Sequence, residues 1–85
     1  MPARSDTALV VRGALAELWP GRFDERRLRE EVSLGEGGLG LDSIEIVELV
    51  LTSAEGVGVP AYDADELLDR GPITLGGLID HLATT

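Results

Sequence analysis

The segment GLGLDSIEIVELV, residues 38–50, decides the fold of this chain. It begins in a glycine-rich loop and continues with apolar residues at helical spacing. Asp42 is the predicted N-cap and Glu45 is the third helical residue, an arrangement typical of a capping box. We therefore predict a helix that runs from Ser43 to about Glu55 and ends before the glycines at 56 and 58.

Two apolar stripes run along this helix, although a surface helix needs only one. The first stripe has core-facing spacing and consists of Ile46, Leu49, Val50 and Ser53. The second stripe lies on another side, beside Glu45, Glu48 and Glu55, and consists of Ile44, Val47, Leu51 and Ala54. Exposed apolar residues with an acidic rim are typical of a protein-docking surface. Periodicity alone leaves an alternative equally open, in which both stripes are buried because the helix is central.

Two further main helices are predicted. The first runs from about Ser5 to Trp19, with Ser5 or Asp6 as N-cap, and ends at Pro20-Gly21. Its core positions are Ala8, Val11, Leu15 and Leu18. The last helix is capped by Thr74 and continues to about Ala83, with an apolar face of Leu75, Leu78, Ile79 and Leu82.

The segments between the main helices show fewer sequence signals for secondary structure. A long first loop spans residues 22–41, with one possible helical turn between Asp24 and Glu31 and a loop over Gly35–Gly40. Four of its residues are expected to pin it to the core, namely Phe23, Leu28, Val32 and Leu34. After an extended piece that closes at Pro60, a short helix is predicted over Asp63–Leu68, before Gly71-Pro72. Because no segment alternates like a strand, we predict an all-α fold, a small antiparallel four-helix bundle.

Length and composition exclude several classes of function. The 85 residues predict one domain, residues 1–85, and the absence of cysteine excludes disulfides and thiolate metal sites. With 16 acidic residues against seven basic ones, all arginine, the net charge is −9, which argues against nucleic-acid binding and for basic protein partners. No apolar run is long enough for a membrane span or a signal peptide. We expect a soluble, cytoplasmic monomer that does not bind membranes.

Ser43 is the candidate for chemistry. A hydroxyl on the first turn of a helix is well placed to carry a phosphate, because unpaired amides and the helix dipole favour negative charge there. No histidine or lysine base adjoins it and no nucleophile-elbow glycine follows it, so a catalytic serine is not expected.

His81 is a lone histidine, expected at the surface or half-buried. Leucines follow Asp63 and Asp65 where a calcium loop needs oxygen ligands, so no metal site is expected.

Together these segments resemble the acyl carrier protein family. The stretch LGLDSIEIVELV, residues 39–50, is similar to the family's phosphopantetheine-attachment motif, in which an Asp-Ser-Leu or Asp-Ser-Ile triplet opens the second helix. The stretch VGVPAYDADELLDRGPITLGGLIDHL, residues 57–82, resembles the remainder of the domain. The resemblance covers nearly the whole chain, from the first helix to the last.

The resemblance implies roles for particular residues. Ser43 would be the covalent attachment point for 4'-phosphopantetheine, transferred from coenzyme A by a phosphopantetheinyl transferase, with Asp42 assisting near the transferase's magnesium ion. Acyl-loading and acyl-processing enzymes with basic docking patches would contact Ile44, Glu45, Val47, Glu48 and Leu51. An acyl chain would shelter among Leu49, Val50, Val59, Tyr62, Leu67, Leu68 and Ile79. The protein itself would be a non-catalytic carrier of thioesters.

Some residues depart from the pattern of housekeeping fatty-acid carriers. The spacing from Ser43 to Pro60 is shorter, Ile46 replaces a polar residue, and Ala54-Glu55-Gly56-Val57 replaces an acidic-aromatic helix end. These differences favour a dedicated carrier of polyketide or related natural-product biosynthesis. The alternatives are a carrier of primary fatty-acid synthesis, a peptidyl or aminoacyl carrier, and an unmodified acidic helical adaptor that only docks to other proteins.

Overall fold

The computed structural model describes residues 3–24, 26, 28–59 and 73–84. Three helices make up the regular structure of these ranges: α1 (Arg4–Leu18), α2 (Ser43–Val57) and α3 (Leu75–Ala83). Each of them contacts the other two. Within the described ranges no strand forms, and one isolated antiparallel bridge joins Ser33 to Thr74. The all-helical prediction is confirmed, whereas the short helix predicted over residues 63–68 lies outside the described residues.

Helix α1 starts earlier than predicted. Its N-cap is Ala3, which has no side chain able to cap, so the prediction of Ser5 or Asp6 is wrong. The first turn is closed instead by Thr7, whose amide and hydroxyl both donate to the Ala3 carbonyl, at 3.0 and 3.1 Å. The predicted core positions of α1 are confirmed: Val11 and Leu15 are buried, and Ala8 and Leu18 are half-buried and pack against the core.

Helix α2 runs two residues past its predicted end. Gly56 lies inside the helix, and Gly58 ends it in the left-handed conformation with φ +87°. A Cβ atom at position 56 would lie 2.7 Å from Cγ1 of Val10, so the glycine lets α1 and α2 pack closely. The prediction that α2 ends at Gly56 is therefore wrong, because this glycine serves close helix packing and does not terminate the helix.

Buried apolar side chains from all three helices and from the first connection form one core. Its members are Val11, Ala14, Leu15, Leu28, Leu34, Leu39, Leu41, Ile46, Leu49, Val50, Ala54, Ile73, Leu75, Leu78, Ile79 and Leu82. Among the four loop residues predicted to pin the connection, Leu28 and Leu34 are buried, and Phe23 and Val32 pack against the core. Leu39 and Leu41, in and after the glycine-rich loop, are buried without having been predicted so.

Backbone hydrogen bonds tie the first connection to the start of α3. The Leu34 amide donates to the Ile73 carbonyl at 2.8 Å, and the Leu75 amide donates to the Val32 carbonyl at 2.9 Å. Thr74 caps α3 as predicted, since its Oγ1 accepts from the Gly77 amide at 3.0 Å. The connection is thereby fixed against α3 before the chain reaches the glycine-rich loop.

The glycine-rich loop folds back on the same segment. The Leu39 amide donates to the Ser33 carbonyl at 2.8 Å, and the Leu41 amide donates to the Leu34 carbonyl at 2.9 Å. Gly38 lies against the Ser33 backbone, so that a Cβ atom there would come within 2.8 Å of the Ser33 nitrogen and nearer still to its carbonyl. The loop therefore delivers the chain to Asp42, and so to the start of α2, along a fixed path.

Arg4 adds an ionic tie at the surface. Its guanidinium pairs with Glu30 of the connection, and its Nε donates to the Asp80 carboxylate of α3 at 2.5 Å. The hydrogen bonds from Arg4 to Glu30 hold the pKa of the Glu30 carboxyl below its ordinary range. Within the described part of the chain, no helix is both long and apolar enough to cross a membrane.

Replacing Gly38 by alanine should destabilise the fold by about 1–3 kcal/mol, because a Cβ atom would overlap the Ser33 backbone. Urea denaturation measures the change. Gly35→Ala is the matched control, since a Cβ atom at position 35 would make only an ordinary contact of 3.7 Å with the Leu41 carbonyl oxygen. Equal stabilities of the two variants would contradict the predicted role of Gly38.

Candidate functional site on the first turn of helix α2

Ser43 is the first residue of α2, as predicted, and it is exposed. Its hydroxyl makes no hydrogen bond to any residue that the structure describes. The amides of a helix's first turn have no intrahelical acceptor, and the helix dipole is positive there. An accessible hydroxyl with these neighbours can be modified by an incoming enzyme, and a phosphate attached to it would be stabilised.

The predicted capping box is confirmed. Asp42 Oδ1 accepts from the Glu45 amide at 2.7 Å, and Glu45 Oε1 accepts from the Asp42 amide at 3.1 Å. This reciprocal pair fixes the backbone on both sides of Ser43. The site serine is consequently presented by a rigid turn, although its own side chain is unrestrained.

Arg22 joins this turn to the end of α1. Its Nη1 donates to Glu45 Oε2 at 2.6 Å. The guanidinium also lies over two aromatic rings, 5.6 Å from the centroid of Trp19 and 5.2 Å from that of Phe23. Those rings meet edge to face with centroids 6.0 Å apart. Arg22 is therefore held by cation–π contacts on one side and by a carboxylate on the other.

Glu45 is consequently occupied in the folded chain. The hydrogen bond from Arg22, followed by that from the Asp42 amide, holds the pKa of the Glu45 carboxyl below its ordinary value of 4.5. Glu48, one turn further, is exposed and makes no hydrogen bond or ion pair with a described residue. Contact of both glutamates with partners stays a prediction, but only Glu48 offers a carboxylate that is not already engaged.

The two apolar stripes of α2 differ in burial. All members of the first stripe are buried: Ile46, Leu49, Val50 and Ser53. In the second stripe Ile44 is 73% exposed and Leu51 is 46% exposed, while Val47 is half-buried. Ala54 is fully buried, which corrects its placement on the second stripe. It lies one turn after Val50, so the core-facing arc of α2 includes it.

We call Ile44, Val47, Leu51 and the exposed Glu48 the α2 docking surface. Among the described residues, one further large apolar side chain is exposed: Leu9 on α1, at 70%. The exposure of Ile44 and Leu51 rules out the alternative in which both stripes are buried. Whether partners bind this surface stays a prediction.

The other predicted site residues fall partly inside the described ranges. Leu49, Val50 and Ile79 are buried in the core, and Val59 is half-buried against it. The remaining predicted interior residues lie outside the described residues, namely Tyr62, Leu67 and Leu68. Asp63 and Asp65, considered above for a calcium loop, also lie outside them. His81 is half-buried, as predicted. No group of metal-binding side chains occurs among the described residues.

Sequence reasoning did not identify Arg22 as part of this site. Its contact with Glu45 joins residues 23 positions apart, and no local periodicity encodes such a pair. The available signal was an arginine placed between two aromatic residues directly after a helix stop. That signal indicates a cation–π contact but not its acidic partner.

Comparison of the chain with models of protein families, with curated proteins and with solved structures gives no match. The site must therefore be interpreted from its own residues.

Replacing Glu45 by glutamine should destabilise the protein at neutral pH and leave it unchanged in acid. Glutamine keeps the capping acceptor but loses the ion pair with Arg22. Since the pKa of Glu45 is lowered in the folded state, its stabilisation is present above the unfolded-state pKa and is lost as the pH falls through the folded-state pKa. Thermal unfolding at neutral pH and well below pH ~4 measures the effect.

Glu48→Gln is the control for that experiment, because it removes the same charge from an unpaired position on the same helix. It should change the midpoint little at either pH. A gap between wild type and Glu45→Gln that persists in acid would show that the Arg22 pair is not its cause.

Proposed function

We propose that this protein is an acyl carrier that tethers acyl groups as thioesters on a 4'-phosphopantetheine arm attached to Ser43. One observation carries the proposal: the hydroxyl of Ser43 is exposed and unpaired at the first position of a rigidly capped helix. The resemblance of residues 39–50 to the attachment motif of acyl carriers supports it. The chain itself would not be an enzyme, because no described base adjoins Ser43 to activate it.

The residues around Ser43 fit a phosphopantetheine group. The exposed hydroxyl gives an attachment point, and the amides of Ser43 and Ile44, which have no described acceptor, favour a phosphodiester. Asp42 uses Oδ1 for the capping box, which leaves Oδ2 facing no described donor and able to meet a transferase-bound magnesium ion. Once attached, the group supplies a terminal thiol that holds acyl groups as thioesters.

In the loading reaction, Ser43 Oγ forms the new bond to phosphorus and loses its proton to a base of the transferase. The phosphorus–oxygen bond to the nucleotide part of coenzyme A breaks, and adenosine 3',5'-bisphosphate leaves. Ser43 needs no activation from its own chain, since the separate transferase supplies both the base and the metal. The carrier contributes a rigid backbone and an accessible oxygen.

Partner enzymes would bind the α2 docking surface. The net charge of −9 steers basic surfaces toward the chain, and Glu48 supplies an unengaged carboxylate beside exposed Ile44 and Leu51. The small apolar area gives modest affinity, so a partner can leave quickly after each transfer. Brief docking suits a carrier that visits several enzymes in turn.

We further propose that the chain is a four-helix bundle, with a short helix over residues 63–68, and that it is cytoplasmic and monomeric. Departures at Ile46 and residues 54–57 from housekeeping carriers support natural-product biosynthesis, such as polyketide assembly. A carrier for primary fatty-acid synthesis or for aminoacyl groups would use the same serine and the same surface.

An unmodified acidic adaptor is the alternative from another class. It would keep the exposed residues Ile44, Leu51 and Glu48 for docking, and Ser43 would be an ordinary first-turn serine. The two functions differ in whether Ser43 accepts a group from coenzyme A.

Incubation with coenzyme A, magnesium and a broad-specificity phosphopantetheinyl transferase should add one phosphopantetheinyl group to the protein. Intact mass spectrometry detects the addition, and Ser43→Ala should abolish it. Ser5→Ala is the matched control, since Ser5 is an exposed serine on α1 and its replacement should leave the addition complete. An unmodified wild type would favour the adaptor.

Reversing the charge of Glu48 should slow loading by the transferase about two- to tenfold, because steering toward the docking surface is weakened. Glu48→Lys should change the free energy of unfolding by no more than about 0.5 kcal/mol, since the side chain is exposed and unpaired. Initial loading rates at low and high salt measure the effect, which salt should reduce.

Glu17→Lys makes the same charge change on the exposed face of α1 and should alter loading much less. If the two variants slow loading equally, the effect is one of net charge alone. If Glu48→Lys unfolds the domain, the surface role of this residue is wrong.

A further inference from the structure

A pocket of about 100 Å³ lies at the C-terminal end of α1. We call it the α1 pocket, and its apolar walls, from the helix and the first connection, are Leu15, Ala16, Trp19, Phe23 and Leu28. The turn that follows α1 has Pro20 and Gly21 at its centre, and Gly21 takes the left-handed conformation with φ +75°. The Arg22 amide closes this turn by donating to the Trp19 carbonyl at 3.2 Å. The turn thereby brings the two aromatic rings of the pocket together.

The size of the α1 pocket favours one side chain as its occupant. Sites for whole cofactors or metabolites usually measure about 300–1,000 Å³, and an engineered cavity of about 150 Å³ binds benzene. The α1 pocket, at about 100 Å³, suits a group no larger than a branched aliphatic side chain such as that of leucine. Tryptophan, phenylalanine and arginine are enriched at protein interfaces, where apolar pockets hold the anchor side chains of a partner.

Two arginines adjoin the α1 pocket and keep free donors. Arg12 lines it, and its Nη1 donates to the Leu28 carbonyl at 2.6 Å. Arg22 lies over the two aromatic rings and gives its Nη1 to Glu45. A guanidinium has five N–H groups, so each arginine has further donors for which the structure describes no acceptor. The described lining contains no carboxylate, so the pocket is suited to an anionic partner.

Basic residues are concentrated in the part of the chain that forms this pocket. Residues 1–29 contain six arginines and four acidic residues, whereas residues 30–85 contain one arginine and twelve acidic residues. The net charge of −9 thus divides into +2 and −11. Charges are screened over about 8 Å at physiological ionic strength, and the shortest dimension of the molecule is 20 Å. A group at the α1 pocket therefore interacts with the arginines beside it more than with the acidic remainder.

We infer that the α1 pocket is a second docking site, which takes one leucine-sized side chain of an acidic protein segment while Arg12 and Arg22 bind the carboxylates beside it. Its partners are opposite in charge to the basic enzymes proposed for the α2 docking surface. The inference goes beyond the carrier function and does not rest on it, because the pocket is formed without Ser43 and needs no modification of the chain.

Short capped peptides test the inference, with Trp19 as reporter, because it is the one tryptophan of the chain and lines the pocket. The probe is a leucine flanked on each side by three glutamates, and it should change the Trp19 emission saturably. Replacing the leucine of the probe by alanine should weaken binding about tenfold, because the anchor is lost. Replacing its glutamates by glutamines should weaken binding about two- to tenfold, because hydrogen bonds between charged groups are lost.

Ala16→Leu should fill the α1 pocket from an exposed position and weaken binding of the probe about tenfold or more. It should not unfold the protein, because leucine is a strong helix former. Gly13→Leu is the matched control: it puts the same side chain on the same helix, where a Cβ atom meets nothing within 4 Å, and binding should be unchanged.

No saturable emission change with the probe, equal affinities for the three peptides, or undiminished binding to Ala16→Leu would overturn the inference. Ser43→Ala should bind the probe as the wild type does. A protein that binds the probe but is not loaded by the transferase would therefore count against the carrier function and leave the second docking site standing.

Discussion

The backbone of Leu34 joins the starts of two helices, and the position of the candidate site depends on it. Its amide donates to Ile73, just before α3, and its carbonyl accepts from Leu41, just before α2. The side chain between these bonds is fully buried in the core. Leu34 is thus held by its amide, its carbonyl and its side chain, and it fixes the segment that leads into α2. The long first connection therefore supports the turn that carries Ser43.

Electrostatic contacts then stabilise the first turn of α2. Asp42 and Glu45 cap α2, and Arg22 holds the far oxygen of Glu45 while lying over Trp19 and Phe23. In a chain of net charge −9, an arginine at this point offsets the carboxylates nearest the serine. The turn is therefore rigid and locally balanced in charge, whereas the surface one turn later keeps Glu48 unpaired beside exposed apolar side chains.

Local signals predicted most of this arrangement. The capping box of α2, the spacing of Leu49 and Val50 and the Thr74 cap each depend on neighbours within about two turns, and the structure agrees with them. The predicted N-cap of α1 is a local signal that was wrong, and the other errors occurred where long-range packing decides. Gly56 lies inside α2, where the absence of a side chain leaves room for Val10 of α1, and Ala54 is buried although its spacing also matches the exposed stripe. The Arg22–Glu45 pair and the α1 pocket are properties of the assembled fold that sequence spacing does not encode.

The central claim is that Ser43 carries a phosphopantetheine arm in the working protein. Fragment-ion mass spectrometry of the chain isolated from cells that produce it naturally, without added transferase, tests that claim most directly. We expect a phosphopantetheinyl group, free or acylated, localised to the peptide that contains Ser43. A native chain that is unmodified throughout, or that carries its modification on another residue, would contradict it.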